Sequence, residues 1–342
     1  MSAKTDAVVS SIVPFKGKLT VPVKFVPLLI TITLFFVMFG IGSVVYDGFF
    51  SPQVFLALFI DNAFLCVTAV GMTFVIITGG IDLSVGSVIA LSTMISASLV
   101  EHHHVSPIIV IPFVLLIGSS LGFFMGYIIH YYKVQPFIAT LAGMFFARGM
   151  CYVISIDSIT ITDSFYTKIA KFQIPVIGSS FISINVIIFL VVVFVAIVLA
   201  HYTKFGRTVY AIGGNEQSAL LMGLPVGRTK VLVYTLSGFC SALGGVVLTF
   251  YMLSGYGLHA QGLELDAIAA AVIGGTLLSG GVGYVLGTMF GVLILGTIQT
   301  VILFQGTLSS WWTKIAIALL IFIFCLLQRV FESSGRMKSS KC

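Results

Sequence analysis

The sequence predicts an all-α polytopic membrane protein of about ten transmembrane helices with both termini in the cytoplasm, and three observations carry that reading. Of 342 residues, 58% are hydrophobic and 8% charged, with a mean hydropathy of +1.16. Soluble domains run at roughly 45–50% apolar and about 25% charged. Hydrophobic runs of about 20 residues, long enough to cross a bilayer as a helix, recur along the whole chain. The cations, finally, sort to one side of those runs.

A polar tail, 1–24, precedes a first run over 25–46. That run is too long for a signal-peptide core and no small-residue cleavage site follows it, so it reads as a retained helix that also targets the chain. Further spans are predicted over 54–78, 84–100, 107–130, 136–156, 183–201, 231–252, 264–281, 285–304 and 311–328. They make one transmembrane domain over 25–330, with a cytoplasmic tail over 331–342. Alternation then places Lys4, Lys16, Lys18, Lys24, Lys133, Lys204, Arg207, Arg228, Lys230, Arg329, Arg336, Lys338 and Lys341 inside. Lys168, Lys171 and Lys314 fall outside or at an outer helix end, and Arg148 lies within a span. Thirteen cations against three satisfies the positive-inside rule. In a chain without a soluble domain, the net charge of +6 is explained by orientation and contact with anionic lipid rather than by nucleic acid.

Several chemistries are excluded or weakened. There is no G-x-x-x-x-G-K-[ST] phosphate loop and no H-E-x-x-H metal motif. The one G-x-S-x-G string, Gly118 to Gly122, lies inside a hydrophobic span, where it reads as helix packing rather than a nucleophile elbow. Cys66, Cys151, Cys240, Cys325 and Cys342 are scattered and odd in number, so they read as packing residues without a disulfide or metal role. The His102–His104 run occupies an exposed outer loop with only Glu101 beside it, a weak metal site. No cofactor, metal or catalytic residue is expected.

Two glycine-rich strings interrupt the spans. GGIDLSVGSVIALS, Gly79 to Ser92, puts Gly79, Gly80, Asp82 and Ser84 where continuous apolar sequence is expected. Asp82 is placed to cap the next helix. The string is either the lining of a permeation route, since broken helices at membrane depth face protein or a water-filled cavity, or a tight turn with small-residue packing. A second string, GGTLLSGGVG from Gly274, shares GG-x-x-LS-x-G with it through Gly274, Gly275, Leu278, Ser279 and Gly281. The likeness hints at two related halves.

Ionisable residues within spans are functional candidates because burying a charge in the bilayer is costly. Here they are Asp61, Arg148 and, near an outer end, Glu264 and Asp266. Asp61 and Arg148 fall at similar depth. They either pair and neutralise each other or join Asn62, Gln299 and Thr300 in a polar wall suited to a hydroxyl-rich solute. The pathway candidates are therefore Asp61, Asn62, Gly79, Gly80, Asp82, Ser84, Arg148, Asp266, Gly274, Gly275 and Ser279.

The loop over 201–230 carries the most specific signal. Asn215 is a helix N-cap, Glu216 puts an acid in the first turn, and Gly223 followed by Pro225 stops the helix. That predicts about two helical turns in the cytoplasm with Leu220, Leu221 and Met222 exposed. Such a helix either enters a partner's groove or rests on the lipid surface. The longest outer segment, 157–182, is polar enough to face water.

The strings DNAFLCVTAVGMTFVIITGGIDLSVGSVIALS, KFGRTVYAIGGNEQSALLMG, LDAIAAAVIGGTLLSGGVG and GTLSSWWTKIAIALLIFIF together resemble the membrane permeases of ribose-type ABC sugar importers, from about Asp61 to Gln328. A finer likeness, to the permease subunits of the galactofuranose importer, is carried by the whole sequence and by no single residue. The resemblance implies an inner-membrane permease with no catalytic residue of its own. It implies a second permease subunit, identical or paralogous, cytoplasmic ATP-binding subunits, and a soluble periplasmic sugar-binding protein. It also implies that Lys204 to Gly223 is the ATPase-coupling region, with Gly206, Arg207, Tyr210, Ala211, Gly213, Gly214, Asn215, Leu220 and Gly223 as its residues. An ion-coupled secondary transporter is the alternative, with membrane-depth carboxylates such as Asp61 and Asp266, but it has no need of a capped docking helix. A membrane-embedded enzyme calls for clustered carboxylates or histidines, and the eleven acidic residues are dispersed.

Overall fold

The computed structural model describes residues 26–176, 180–307, 309 and 311–339; the expected tail over 1–24 and the last three residues lie outside them. Each predicted hydrophobic run contains helix. The first forms α1 (Val26–Val45), and the second divides into α2 (Pro52–Asp61) and α3 (Ala63–Ile77), bent by 53° at Asn62. Ser51 caps α2 by accepting the Val54 N–H on its hydroxyl at 3.2 Å. There follow α4 (Val85–Glu101), α5 (Pro107–Tyr131) and α6 (Pro136–Ile154). Proline at the first position of α2, α5 and α6 is preorganised for helix and lacks the N–H that would be unsatisfied there.

The segment over 157–182 contains β1 (Ile159–Thr160), α7 (Ser164–Lys171), β2 (Gln173–Pro175) and the start of β3 (Phe181–Ser183). Much of it is exposed, Asp157, Ser158, Thr160, Thr162, Ser164, Lys168 and Lys171 among them, but it is anchored by an apolar underside. Ile159, Ile161 and Tyr166 are buried. Glu101 clasps the segment, accepting hydrogen bonds from the backbone N–H groups of Thr162 and Asp163 and from the Thr162 hydroxyl. Asp163 caps α7 by accepting the Phe165 N–H at 2.8 Å.

The chain continues through α8 (Ile184–Tyr202), α9 (Lys204–Gly214), α10 (Glu216–Leu221), α11 (Val226–Met252), β4 (Ser254–Gly255), α12 (Leu263–Ile273), α13 (Val285–Gln305) and α14 (Trp311–Ser339). β4 pairs antiparallel with β1, and β3 with β2. Among the described residues six helices are long and apolar enough to cross a bilayer, α1, α5, α6, α8, α11 and α13, or seven if α2 and α3 form one bent span. Of the ten runs expected to span, six or seven meet that length among the described residues. α4 and the apolar part of α14 are shorter, and α11 starts five residues before the predicted 231. The predicted tail after 330 is, up to Ser339, a continuation of α14.

The largest departure is the span expected over 264–281. α12 has 11 residues, about 16 Å of helix against about 30 Å of hydrocarbon. It starts after Gly262, at φ +80°, and ends at Gly274, with Gly275 at φ +88°. Such left-handed conformations cost glycine little and interrupt a helix. From Gly255 the chain reaches α12 through irregular backbone.

α11 is the central post, packed on α3, α4 and α5. Gly118, Gly122 and Gly126 of α5 recur every four residues and face Ala242, Tyr234 and Val231 of α11. Cβ atoms there would meet Ala242 Cβ at 2.5 Å, Thr235 Cα at 3.1 Å and Val231 Cα at 3.0 Å. The G-x-S-x-G string is thus a close-approach surface of small residues. The Thr68, Ser92, Ser241, Thr249 and Thr297 hydroxyls each donate to the carbonyl four residues earlier, which satisfies them within their own helices.

Candidate functional site

One end of the molecule carries α9 and α10, so the loop over 201–230 is mostly helical. Thr203 starts α9 by accepting the Gly206 N–H on its hydroxyl (3.2 Å). Gly206 abuts the Leu199 and Ala200 carbonyls with no room for a Cβ. Gly206, Thr208, Val209 and Ile212 are buried while Arg207 is exposed, so α9 lies on the protein by one face. Asn215 then caps α10, its Oδ1 accepting the Ser218 N–H at 2.8 Å, as the sequence led us to expect. Ile212, Ala219 and Val226 form a small core that binds α10 to its neighbours, with Ala211 packed against it. Leu220, Leu221 and Met222 point away from it and are 63%, 88% and 68% exposed. Gly223 closes the helix at φ +75°, and Lys230 pairs with Glu216 at 2.7 Å.

Beneath α9 the two glycine strings meet. The Gly281 N–H donates to the Ile77 carbonyl at 2.9 Å. Gly213 sits on that junction, where a Cβ would run into both the Ile77 oxygen and the Gly281 nitrogen; at Gly214, by contrast, there is nothing within 4 Å. The Tyr210 hydroxyl donates to the Gly283 carbonyl at 2.7 Å. Burial, with Tyr284 adding to it, pushes that hydroxyl up to about 12, so it remains a neutral donor. The His201 ring stacks on Tyr210, with centroids 6.1 Å apart. An exposed apolar helix is therefore seated, through α9, on the turns that end α3 and α12.

The glycine-string candidates occupy mixed positions. Gly79, at φ +78°, and Ser279 are exposed. Gly80 packs under the Tyr234 ring, Gly274 lies against the backbone of Gly287, and Gly275 meets Pro27. Asp82 and Ser84 are fully buried. Asp82 accepts the Ser84 N–H at 3.0 Å, the Ser84 hydroxyl at 2.6 Å and the Ser237 hydroxyl at 2.7 Å. These bonds tie the turn before α4 to the central post α11.

Farther from α9, Asp61 and Arg148 do not pair. The Asp61 carboxylate accepts a hydrogen bond from the Tyr251 hydroxyl (3.0 Å), and Arg148 donates to the carbonyls of Gly257 (2.6 Å) and His259 (2.9 Å). Those carbonyls belong to the irregular chain before α12, so the guanidinium supplies donors that no helix or strand provides there. Glu264, expected near an outer end, lies against Gly86 at the start of α4. Asp266 is held by Lys314 at 2.9 and 2.6 Å. Asn62, Gln299, Asp266, Trp311 and Lys314 line a cavity of about 500 Å³.

The family described as "Branched-chain amino acid transport system / permease component" matches residues 54–325. The chain belongs to this permease family. The permease is 50% identical over 303 residues, 89% of its own length and 92% of the relative's, to the inner membrane ABC transporter permease protein YjfF of Escherichia coli (strain K12). It is 40% identical over 316 residues, 91% and 92% of the two lengths, to the fructose import permease protein FruG of Bifidobacterium longum. Over 297 residues, 86% and 90% of the two lengths, it is 41% identical to the ribose import permease protein RbsC of Bacillus subtilis. No solved structure matches the chain. The permease is a multi-pass membrane transport subunit and not an enzyme.

Sequence reasoning missed several residues of this site. Ser237 and Tyr234 look like ordinary small and aromatic positions on the apolar α11 of the permease, and only the fold brings them to Asp82 and Gly80. Lys314 was read as an outer cation, without its partner. Nothing in the sequence marks the Gly257 and His259 carbonyls as ligands of Arg148, because every residue has a carbonyl.

Proposed function

We propose that the permease is the membrane-spanning subunit of an ATP-driven importer that moves a monosaccharide, galactofuranose or a ribose-like sugar, across the inner membrane by alternating access. Relatives named for fructose and ribose import support a sugar over an amino acid. The observation that carries the transport reading is α10, which presents Leu220, Leu221 and Met222 to the surroundings while α9 wedges against the turns of α3 and α12. A partner that grips α10 moves both half-spans through a short, solid path. Cytoplasmic ATP-binding subunits are that partner in this reading. Lys204, Arg207, Arg228 and Lys230 support a cytoplasmic position for this end, beside anionic lipid, by the positive-inside rule. A second permease subunit, identical or paralogous, completes the route, and a periplasmic binding protein delivers the sugar.

The test is Leu221→Glu, assayed as ATP-dependent sugar uptake by the assembled complex in proteoliposomes. Leu221 is 88% exposed, so the variant inserts and folds, within about 0.5 kcal/mol of the parent, but loses uptake and sugar-stimulated ATP hydrolysis. Undiminished uptake, or uptake driven by an ion gradient without ATP, would instead favour an ion-coupled secondary transporter.

A further inference from the structure

We propose that the cavity between α3, α12, α13 and α14 is the permease's own sugar site, in which the Asp266–Lys314 ion pair competes with the sugar for the carboxylate. The proposal rests on the importer reading above and adds where the sugar binds and what competes with it. The cavity, of about 500 Å³, falls within the range of roughly 300–1,000 Å³ typical of small-molecule sites, which combine apolar walls with a few convergent polar groups. Asn62, at the bend between α2 and α3, donates its amide N–H to the Leu58 carbonyl (2.9 Å), leaving the amide oxygen as an acceptor. Gln299 of α13 is exposed and carries both a donor and an acceptor. Trp311, at the start of α14, adds a ring face for the C–H side of a sugar.

Asp266 lies in the first turn of the half-helix α12, about 10 Å along the axis from its far end. Lys314 grips both of its carboxylate oxygens. The lysine side chain is 52% exposed and the aspartate 19%, so the ammonium lies on the open side of the carboxylate. A sugar hydroxyl that reaches Asp266 must displace it. A neutral polyol suits that exchange, because its hydroxyls donate to the carboxylate in place of the ammonium. The competition weakens binding within the membrane, as release to the other side requires.

The test uses the assembled complex with Gln299→Cys, and with Cys325 and Cys342 replaced by serine; the remaining thiols, Cys66, Cys151 and Cys240, are buried. We expect a membrane-impermeant thiol reagent to label the introduced cysteine, and saturating transported sugar to slow labelling about tenfold. Lys314→Met removes the competitor, so the sugar concentration giving half-maximal protection falls about tenfold. Labelling by lipid-soluble maleimide alone, or labelling that sugar does not slow, overturns the site while leaving the importer reading intact. If the unmodified complex takes up none of labelled ribose, fructose or galactofuranose, the importer reading falls and the site with it.

Discussion

Gly213→Ala is the most informative single change, because one methyl group tests whether α9 is seated on the glycine turns. The added carbon would overlap the Ile77 carbonyl oxygen and the Gly281 nitrogen, which are themselves joined by a 2.9 Å hydrogen bond. Backbone atoms on both sides leave no flexible side chain to give way. Overpacking of this kind costs about 1–3 kcal/mol, and loss of the bond adds about 0.5–1.5 kcal/mol. Together these shift the seated arrangement by about 1.5–4.5 kcal/mol, or roughly tenfold to two-thousandfold in population. Gly214→Ala is the internal control, since its Cβ meets nothing within 4 Å. In proteoliposomes holding the assembled complex, the first variant is expected to insert normally, hydrolyse ATP and take up little sugar, and the second to match the parent. Equal uptake by both variants would refute the seating argument.

Tyr210→Phe deletes the hydroxyl bonded to the Gly283 carbonyl at 2.7 Å, leaving that carbonyl short of a donor at a cost of about 1–3 kcal/mol; a lower thermal midpoint together with fewer sugars moved per ATP is expected. Arg148→Ala strips two carbonyls of their donor and is expected to destabilise the permease by about 2–4 kcal/mol, read as loss of the folded fraction in detergent. Exchanging Asp61 and Arg148 should restore nothing relative to the single variants, because neither touches the other; recovery of uptake in the exchange would mean that they do pair.

Features set by local chemistry were legible in the sequence. Asn215 caps α10 through an atom three residues from its donor, and the Gly118–Gly122 spacing places small residues on one helical face whatever they pack against. Hydrophobic runs revealed the segments but not their depth, because hydropathy averages over α12 and the glycines that end it. Averaging also conceals detail over 157–182, a largely exposed segment whose polar mean hides the buried Ile159, Ile161 and Tyr166. Similar depth left Asp61 and Arg148 either paired or part of a polar wall, and depth cannot see that Arg148 has backbone carbonyls closer at hand.

The brevity of α12 also sets how thick a barrier the protein presents. With 11 residues in the helix, regular structure covers about 16 Å, and the cavity lined by Asp266 opens beside its first turn. In the importer proposed above, that length, about half a bilayer, would be the barrier between a solute in the cavity and the glycine turns. A tilt of a few ångströms at the turns would then be a large fraction of the whole obstruction, so a modest stroke at α9 would be geared to a large change in access.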